Sequence, residues 1–166
     1  VIVAPEYQGR GLGRLLMEAA VAQLGRRGIQ LHATPVGEPL YRSLGFAPTA
    51  AIRQHQGAAF SLGFHPPRAG ERLRPAGRAD LAVLTALDTA ATGMARIERD
   101  YVGIFAMRTA ERARGKGYAT MLVSYLLTWG AAQGAKKAFL QVDESNEIAN
   151  RVYDKFGFAT RYVYWH

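Results

Sequence analysis

Arg114-Gly115-Lys116-Gly117-Tyr118-Ala119 follows the apolar run Val102-Gly103-Ile104-Phe105-Ala106-Met107 and opens a stretch with helical spacing. A strand, a glycine-rich turn and a helix start make a cradle for an anion. The glycines let the backbone approach closely, and the free N–H groups of the helix start point at the negative charge. The same sentence is written a second time near the beginning of the chain. There Val1-Ile2-Val3 precedes Gln8-Gly9-Arg10-Gly11-Leu12-Gly13, and Leu12, Leu15, Leu16, Ala19 and Ala20 follow at helical steps. One such turn needs no more than a glycine for geometry; two copies with the same downstream pattern point to a shared task.

The 166 residues suffice for one ordinary domain or two small ones, and 49% hydrophobic residues suffice for a core. With no Cys, the chain has no disulfide, thiolate metal site or Cys nucleophile. His32, His55, His65 and His166 show no metal-ligand spacing and read as ordinary surface or core residues. No bilayer-spanning apolar run and no leader is visible, so the expected location is the cytoplasm, away from membranes. The net charge of +8 is spread over single Arg residues and short pairs such as Arg26-Arg27 and Lys136-Lys137. That pattern lacks the basic runs with interleaved aromatics of a nucleic-acid binder and suits a small polyanionic ligand. Val1 stands inside a strand-like run, which reads as the edge of a longer product.

Taken in order, the first helix runs from Leu12 past Leu24 with Gly28 as its stop, and Ile29 to Ala33 reads as a strand. Pro39 opens a short helix that Gly45 ends. Phe46 to Phe60 has room for two strands, and Phe64-His65-Pro66-Pro67-Arg68-Ala69-Gly70 reads as a linker. Glu71 to Arg74 reads as a strand. Ala79, Asp80, Leu81, Leu84, Leu87 and Ala91 describe a helix with Gly93 past its end. Tyr101–Thr109 is a strand and Thr120–Gln133 a helix burying Met121, Leu122, Tyr125, Leu126 and Trp129. Lys137–Val142 is a strand, Asn146–Phe156 a helix capped by Ser145 or Asn146, and Phe158–Trp165 a strand. Tyr41 is followed by Gly45-Phe46 as Tyr153 is by Gly157-Phe158, which marks a duplicated unit.

Two familiar phosphate loops fit poorly. A P-loop needs Ser or Thr directly after its Gly-Lys, and Lys116 is followed by Gly117. A dinucleotide fingerprint needs a different glycine spacing and an acid beyond, which Ile29–Ala33 lacks. Gln8-x-x-Gly11-x-Gly13 and Arg114-x-x-Gly117-x-Ala119 instead match a Q/R-x-x-G-x-G/A signature. Asn146-Glu147-Ile148-Ala149-Asn150-Arg151-Val152-Tyr153-Asp154-Lys155-Phe156-Gly157-Phe158 matches an N-x-x-A-x-x-x-Y-x-x-x-G-F ending. On these residues the chain resembles the GNAT superfamily of N-acetyltransferases. The resemblance covers residues 1–50 and 101–166 as two C-terminal halves of that fold, with 71–92 similar to its opening strand and helix. It is similar to a truncated tandem two-domain member.

The resemblance implies an α/β fold of two similar half-domains, a mixed β-sheet flanked by helices. The implied division is 1–63 for a first half, 64–70 for a linker and 71–166 for a second domain lacking a helix and strands between Gly93 and Tyr101. It implies acetyl-CoA as the cofactor, held in the second copy by Arg114, Gly115, Lys116, Gly117, Ala119, Thr120 and Asn146, with the strand around Met107 and Thr109 beside the arm. Gln8, Gly9, Arg10, Gly11 and Gly13 are the matching positions of the first copy. It implies transfer of an acetyl group to a primary amine of a small molecule or peptide through a tetrahedral intermediate. Tyr153, or Tyr41 in the first copy, would be the general acid. Asp143 and Glu144 are candidate bases. The alternative is a CoA-binding or interaction module without turnover.

Overall fold

The computed structural model describes residues 2–60, 67–80, 82 and 89–165. They form two compact units, one made of Val1–Arg53, Asp143–Ser145 and Tyr162–His166, the other of Gln54–Val142 and Asn146–Arg161. The helices are α1 (Leu12–Leu24), α2 (Glu38–Ser43), α3 (Tyr118–Ala132) and α4 (Glu147–Asp154). The strands are β1 (Ala51–Ala58), β2 (Ala91–Glu98), β3 (Tyr101–Thr109), β4 (Lys137–Asp143) and β5 (Ala159–Trp165). They build one mixed sheet in the order β2-β3-β4-β1-β5. β2 and β3 form an antiparallel hairpin through Arg99 and Asp100, and β3 pairs β4 in parallel.

Apolar alternation and helical spacing meet in the second unit. Val102, Ile104, Leu140 and Val142 from the strands close on Val123, Leu126 and Leu127 of α3 and on Tyr153, Phe156 and Phe158. Each fully buried aliphatic side chain there contributes about 1.5–3 kcal/mol. α3 lies close to β3 because Gly130 faces Val102. A Cβ on Gly130 would come within 2.7 Å of the valine's Cβ. Trp129, expected inside, is 36% exposed, and Val123, Leu127 and Gly130 take the inward positions instead.

The first unit holds α1 and α2, which touch where Gly13 meets Leu40. α1 ends at Gly25 (φ 61°), three residues before the expected stop at Gly28. Its regular apolar stripe is mostly on the surface: Leu15 and Leu16 are exposed, and Met17 is the buried residue of the helix. Helical period alone does not say which face will find a partner.

Several expected elements are absent or different. Ile2 and Val3 are not in a strand. Among the described residues Ile29–Ala33 contributes a single bridge, Ala33 to Trp165. Phe46–Phe60 holds one strand rather than two. Glu71–Arg74 is a turn-like segment, since Glu71 bonds back to Arg68. Leu81, Leu84 and Leu87 of the expected helix, and Phe64, His65 and Pro66 of the expected linker, lie outside the described residues. Gly93 is not a helix stop but a strand residue, and β2 supplies a strand of the segment expected to be missing before Tyr101. Among the described residues no helix is long and apolar enough to cross a membrane.

The Gly130–Val102 seam is testable. Gly130→Ala should lower unfolding free energy by about 1–3 kcal/mol, the cost of overpacking a core, read by urea denaturation. Adding Val102→Ala should return part of that loss, so that the double variant is more stable than the sum of the single effects.

Candidate active site

The anion cradle is built by backbone. After β3 the chain makes one 3-10 turn, Glu111–Ala113, and Arg114 is extended at φ −64° and ψ 156°. Gly115 and Gly117 then take φ 73° and 83°. A Cβ at either would meet nothing within 4 Å, so the left-handed backbone alone asks for glycine. Gly117 supplies no side-chain cap, and the first helical bond is from the Met121 N–H to the Gly117 carbonyl at 3.0 Å. None of the N–H groups from Gly115 to Thr120 has an acceptor among the described residues. They form the positive end of a 15-residue helix. The expected residues Arg114, Gly115, Lys116, Gly117, Ala119 and Thr120 are thus brought together.

A latch that the sequence does not announce holds this loop from the side. Arg68 donates from Nη2 to the Lys116 carbonyl at 3.2 Å, and the Tyr118 hydroxyl donates to the Glu71 carboxylate. Glu71 also accepts the Arg68 N–H at 3.1 Å. The bond from Tyr118 keeps the Glu71 carboxyl below its ordinary pKa, and the same bond raises the phenol of Tyr118.

β3 changes direction where the expected acyl site lies. Its parallel ladder with β4 runs from Tyr101↔Lys137 to Ile104↔Leu140. Ala106 follows with φ 49°, left-handed in a residue that has a Cβ. The register with β2 shifts there too, between Thr92 and Met94. Such a bulge costs on the order of 1–3 kcal/mol locally and re-aims the groups beside it. Gly93 is what makes room: a Cβ on it would sit 2.5 Å from the Met107 sulfur. Met107 is half-buried at the bulge, and Thr109 ends the strand just before the loop.

α4 carries the remaining residues of this unit. Asn146 caps it, its Oδ1 accepting the Ala149 N–H at 3.1 Å, while its Nδ2 has no partner among the described residues. Tyr153 is 6% exposed, edge-on to Phe158, and burial raises its phenol above the ordinary value. It therefore stays protonated at neutral pH. Asn146, Ala149 and Tyr153 are spaced three and four apart on one face.

The Gln8–Gly13 loop repeats this backbone closely. Ala4 and Ala110 share φ −58° and ψ 145°, Gln8 and Arg114 are extended alike, and Gly9 and Gly11 both have φ 76°. Helix α1 begins with the Leu15 N–H on the Gly11 carbonyl, leaving the N–H groups around Arg10 and Gly13 without acceptors among the described residues. Gln8 itself donates to the Val3 carbonyl at 3.0 Å. The helix ends match as well: the Phe46 N–H bonds the Tyr41 carbonyl as the Phe158 N–H bonds that of Tyr153. Tyr41 differs in setting. It packs edge-on to Phe46 and lines a cavity of about 420 Å³ with Glu38, Arg42, Pro48 and Trp165.

Neither carboxylate expected as a base is idle. Asp143 accepts both the hydroxyl (2.7 Å) and the N–H (2.8 Å) of Ser145, which hold its pKa below the usual value. Glu144 pairs with Arg53 at 3.0 Å. Among the described residues no cluster of His, Asp or Glu has the makings of a metal site.

Against known proteins, a model described as "Acetyltransferase (GNAT) family" matches residues 50–158, and one described as "Acetyltransferase (GNAT) domain" matches residues 1–48. The chain is 36% identical over 69 residues to the "Uncharacterized N-acetyltransferase YobR" of Bacillus subtilis (strain 168), covering 42% of this chain and 28% of that protein. It is 35% identical over 94 residues to YitH of the same organism, also called an uncharacterized N-acetyltransferase, covering 56% and 33%. The chain thus spans about a third of the curated relatives it matches. A GCN5-related N-acetyltransferase from Sphaerobacter thermophilus superposes with a TM-score of 0.66 at 18% identity, over 98% of this chain and 69% of that one. A GNAT-family acetyltransferase from Colwellia psychrerythraea gives 0.62 at 15%, over 99% and 75%. At those identities the likeness is one of fold.

The latch gives a pH prediction. Glu71 has a lowered pKa in the folded chain, so its contribution is present above the ordinary carboxylate range and lost as pH falls through the lowered value. Tyr118 has a raised one, so its contribution is present below the ordinary phenol range and lost as pH rises through the raised value. The difference in Tm between the unsubstituted chain and Tyr118→Phe should therefore be steady around neutral pH and shrink as pH falls below the ordinary carboxylate range, through the lowered Glu71 value.

Proposed function

The chain belongs to the GNAT acetyltransferase family, and from that membership we propose that it moves an acetyl group from acetyl-CoA to a primary amine, using the second loop. The observation that carries this reading is the row of unpartnered N–H groups from Gly115 to Thr120 at the end of a strand that bulges at Ala106. Acetyl-CoA supplies the activated acyl group as a thioester. The chain's residues supply the rest. The loop amides take the pyrophosphate, and Arg114 and Lys116 add charge beside it. β3 beyond Ile104 offers its backbone to the arm. A backbone N–H beside Met107, at the bulge, would be the donor to the oxygen on which negative charge develops. Asn146 has amide donors to spare for the cofactor.

Tyr153 holds the proton that the departing thiolate needs. A lysine-like amine has a pKa of about 10.4 and reacts only when neutral, so it must lose a proton first. The acceptor, a small molecule or a peptide, is of this amine class. The matching loops and the two successive family matches also support reading the chain as two consecutive GNAT segments, with Gln8, Gly9, Arg10, Gly11, Gly13 and Tyr41 the counterpart site.

One observation favours a second reading, a CoA-binding or interaction module without turnover: Asp143 and Glu144 are both engaged elsewhere, which leaves the base unassigned. Thiol release from acetyl-CoA with a panel of amines separates the two, and no release with any amine would decide for the second.

Gly117→Asp places strain and a negative charge in the cradle. Calorimetry with CoA should show most of the binding heat gone, and unchanged affinity would remove this loop from the site. Tyr153→Phe keeps the ring and its packing but not the proton. It should lower turnover by about 10²–10⁴ while CoA affinity stays nearly the same; full activity would make the phenol a packing group.

A further inference from the structure

His55 is 2% exposed, in β1, between β4 and β5. Sequence pattern gives it no role, since Arg53-Gln54-His55-Gln56 is polar throughout. Its surroundings in the second unit are specific. Nε2 lies 2.9 Å from Oδ1 of Asn150, itself 7% exposed. The carboxamide of Asn150 cannot be turned the other way, because its Nδ2 donates to the Asn146 carbonyl at 2.9 Å. The imidazole must therefore donate from Nε2, while Nδ1 lies 3.5 Å from the Thr160 hydroxyl. The ring also stands 6.3 Å from that of Tyr153. Two residues on, Gly57 lets β1 pass close to α4's far end, where a Cβ would be 3.4 Å from the Gly157 carbonyl.

We propose that His55 is a positioning residue for the acetyl transfer, acting through Asn150 on the first turn of α4. The chain of bonds runs from β1 to the residue that caps α4, so it fixes where Asn146 directs its spare amide and how Tyr153 is turned. An aliphatic side chain would fill the same space but remove the 2.9 Å bond to the Asn150 oxygen. The relay then loosens, and Tyr153 loses its place by a fraction of an ångström at the far end of a two-turn helix. This rests on the reading of Asn146 and Tyr153 as cofactor contact and acid.

The test compares His55→Leu, His55→Gln and Asn150→Leu with the unsubstituted chain. His55→Leu should lower kcat about 10- to 100-fold, the scale of a misplaced catalytic group. The amine KM should hardly change. His55→Gln, which restores a donor, should recover most of the loss. Asn150→Leu should reproduce the His55→Leu effect and stands in for it if that variant does not fold. Equal kcat in His55→Leu and the unsubstituted chain, or a loss that His55→Gln does not repair, overturns the proposal.

Nuclear magnetic resonance gives a readout independent of turnover. The His55 ring should carry a proton on Nε2, bonded to the Asn150 oxygen. The Asn146 amide and Tyr153 ring signals should move in His55→Leu and return in His55→Gln. A chain that releases no thiol from acetyl-CoA refutes the acetyl-transfer reading, and unmoved Asn146 and Tyr153 signals refute the relay.

Discussion

The rest of the second unit depends on the contact between Gly130 and Val102, where a helix and a strand approach with no side chain between them. That contact sets α3 directly over β3. Because the loop is only the short path from the end of β3 to the start of α3, fixing both fixes the loop. The N–H groups of α3 are then aimed at the end of the strand that carries the bulge. The burial of Val102, Leu127 and their neighbours, at about 1.5–3 kcal/mol each, offsets both the strained Ala106 and the unpartnered loop.

What the sequence made legible was local. Glycines with left-handed φ, the Asn146 cap, the Tyr101–Thr109 strand and the run Lys137–Asp143 were visible because each is written in neighbouring residues. What stayed hidden was decided by distant partners. Ala106 gives no sign of a bulge, since the space for it comes from Gly93 on another strand, and that glycine read as a helix stop. Ile29–Ala33 has the composition of a strand but, among the described residues, makes a single strand bridge, Ala33 to Trp165. His55 looked ordinary because its meaning lies in Asn150 and Thr160, far along the chain. The latch of Arg68 and Glu71 was likewise invisible in a stretch that read as linker and strand.

The two loops separate local code from context. Their backbone angles agree within a few degrees, so the glycine pattern alone specifies the turn. Their helices have opposite fates. α3 buries Leu122, Val123, Leu126 and Leu127, whereas α1 leaves Leu15 and Leu16 in solvent. The same turn therefore opens a helix with several buried residues and one with an exposed apolar stripe, and the turn by itself cannot define an active site.

Magnitudes make the same point about binding. A hydrogen bond to a charged group contributes about 1.5–3 kcal/mol net, and a helix N-terminus about 0.3–1 more. Micromolar affinity takes about 8 kcal/mol, and ordering a flexible ligand costs several more. A few loop amides on a pyrophosphate thus fall short unless the remainder of the ligand also finds partners. Near the Arg114–Thr120 loop, β3 runs past its ladder with β4, and Asn146 holds amide donors in reserve. Near the Gln8–Gly13 loop, Ile2 and Val3 form no strand, Gln8 is turned back onto Val3, and no Asn stands at the position before α2. Equal loops with unequal surroundings should bind unequally, which favours the Arg114–Thr120 loop for the proposed chemistry.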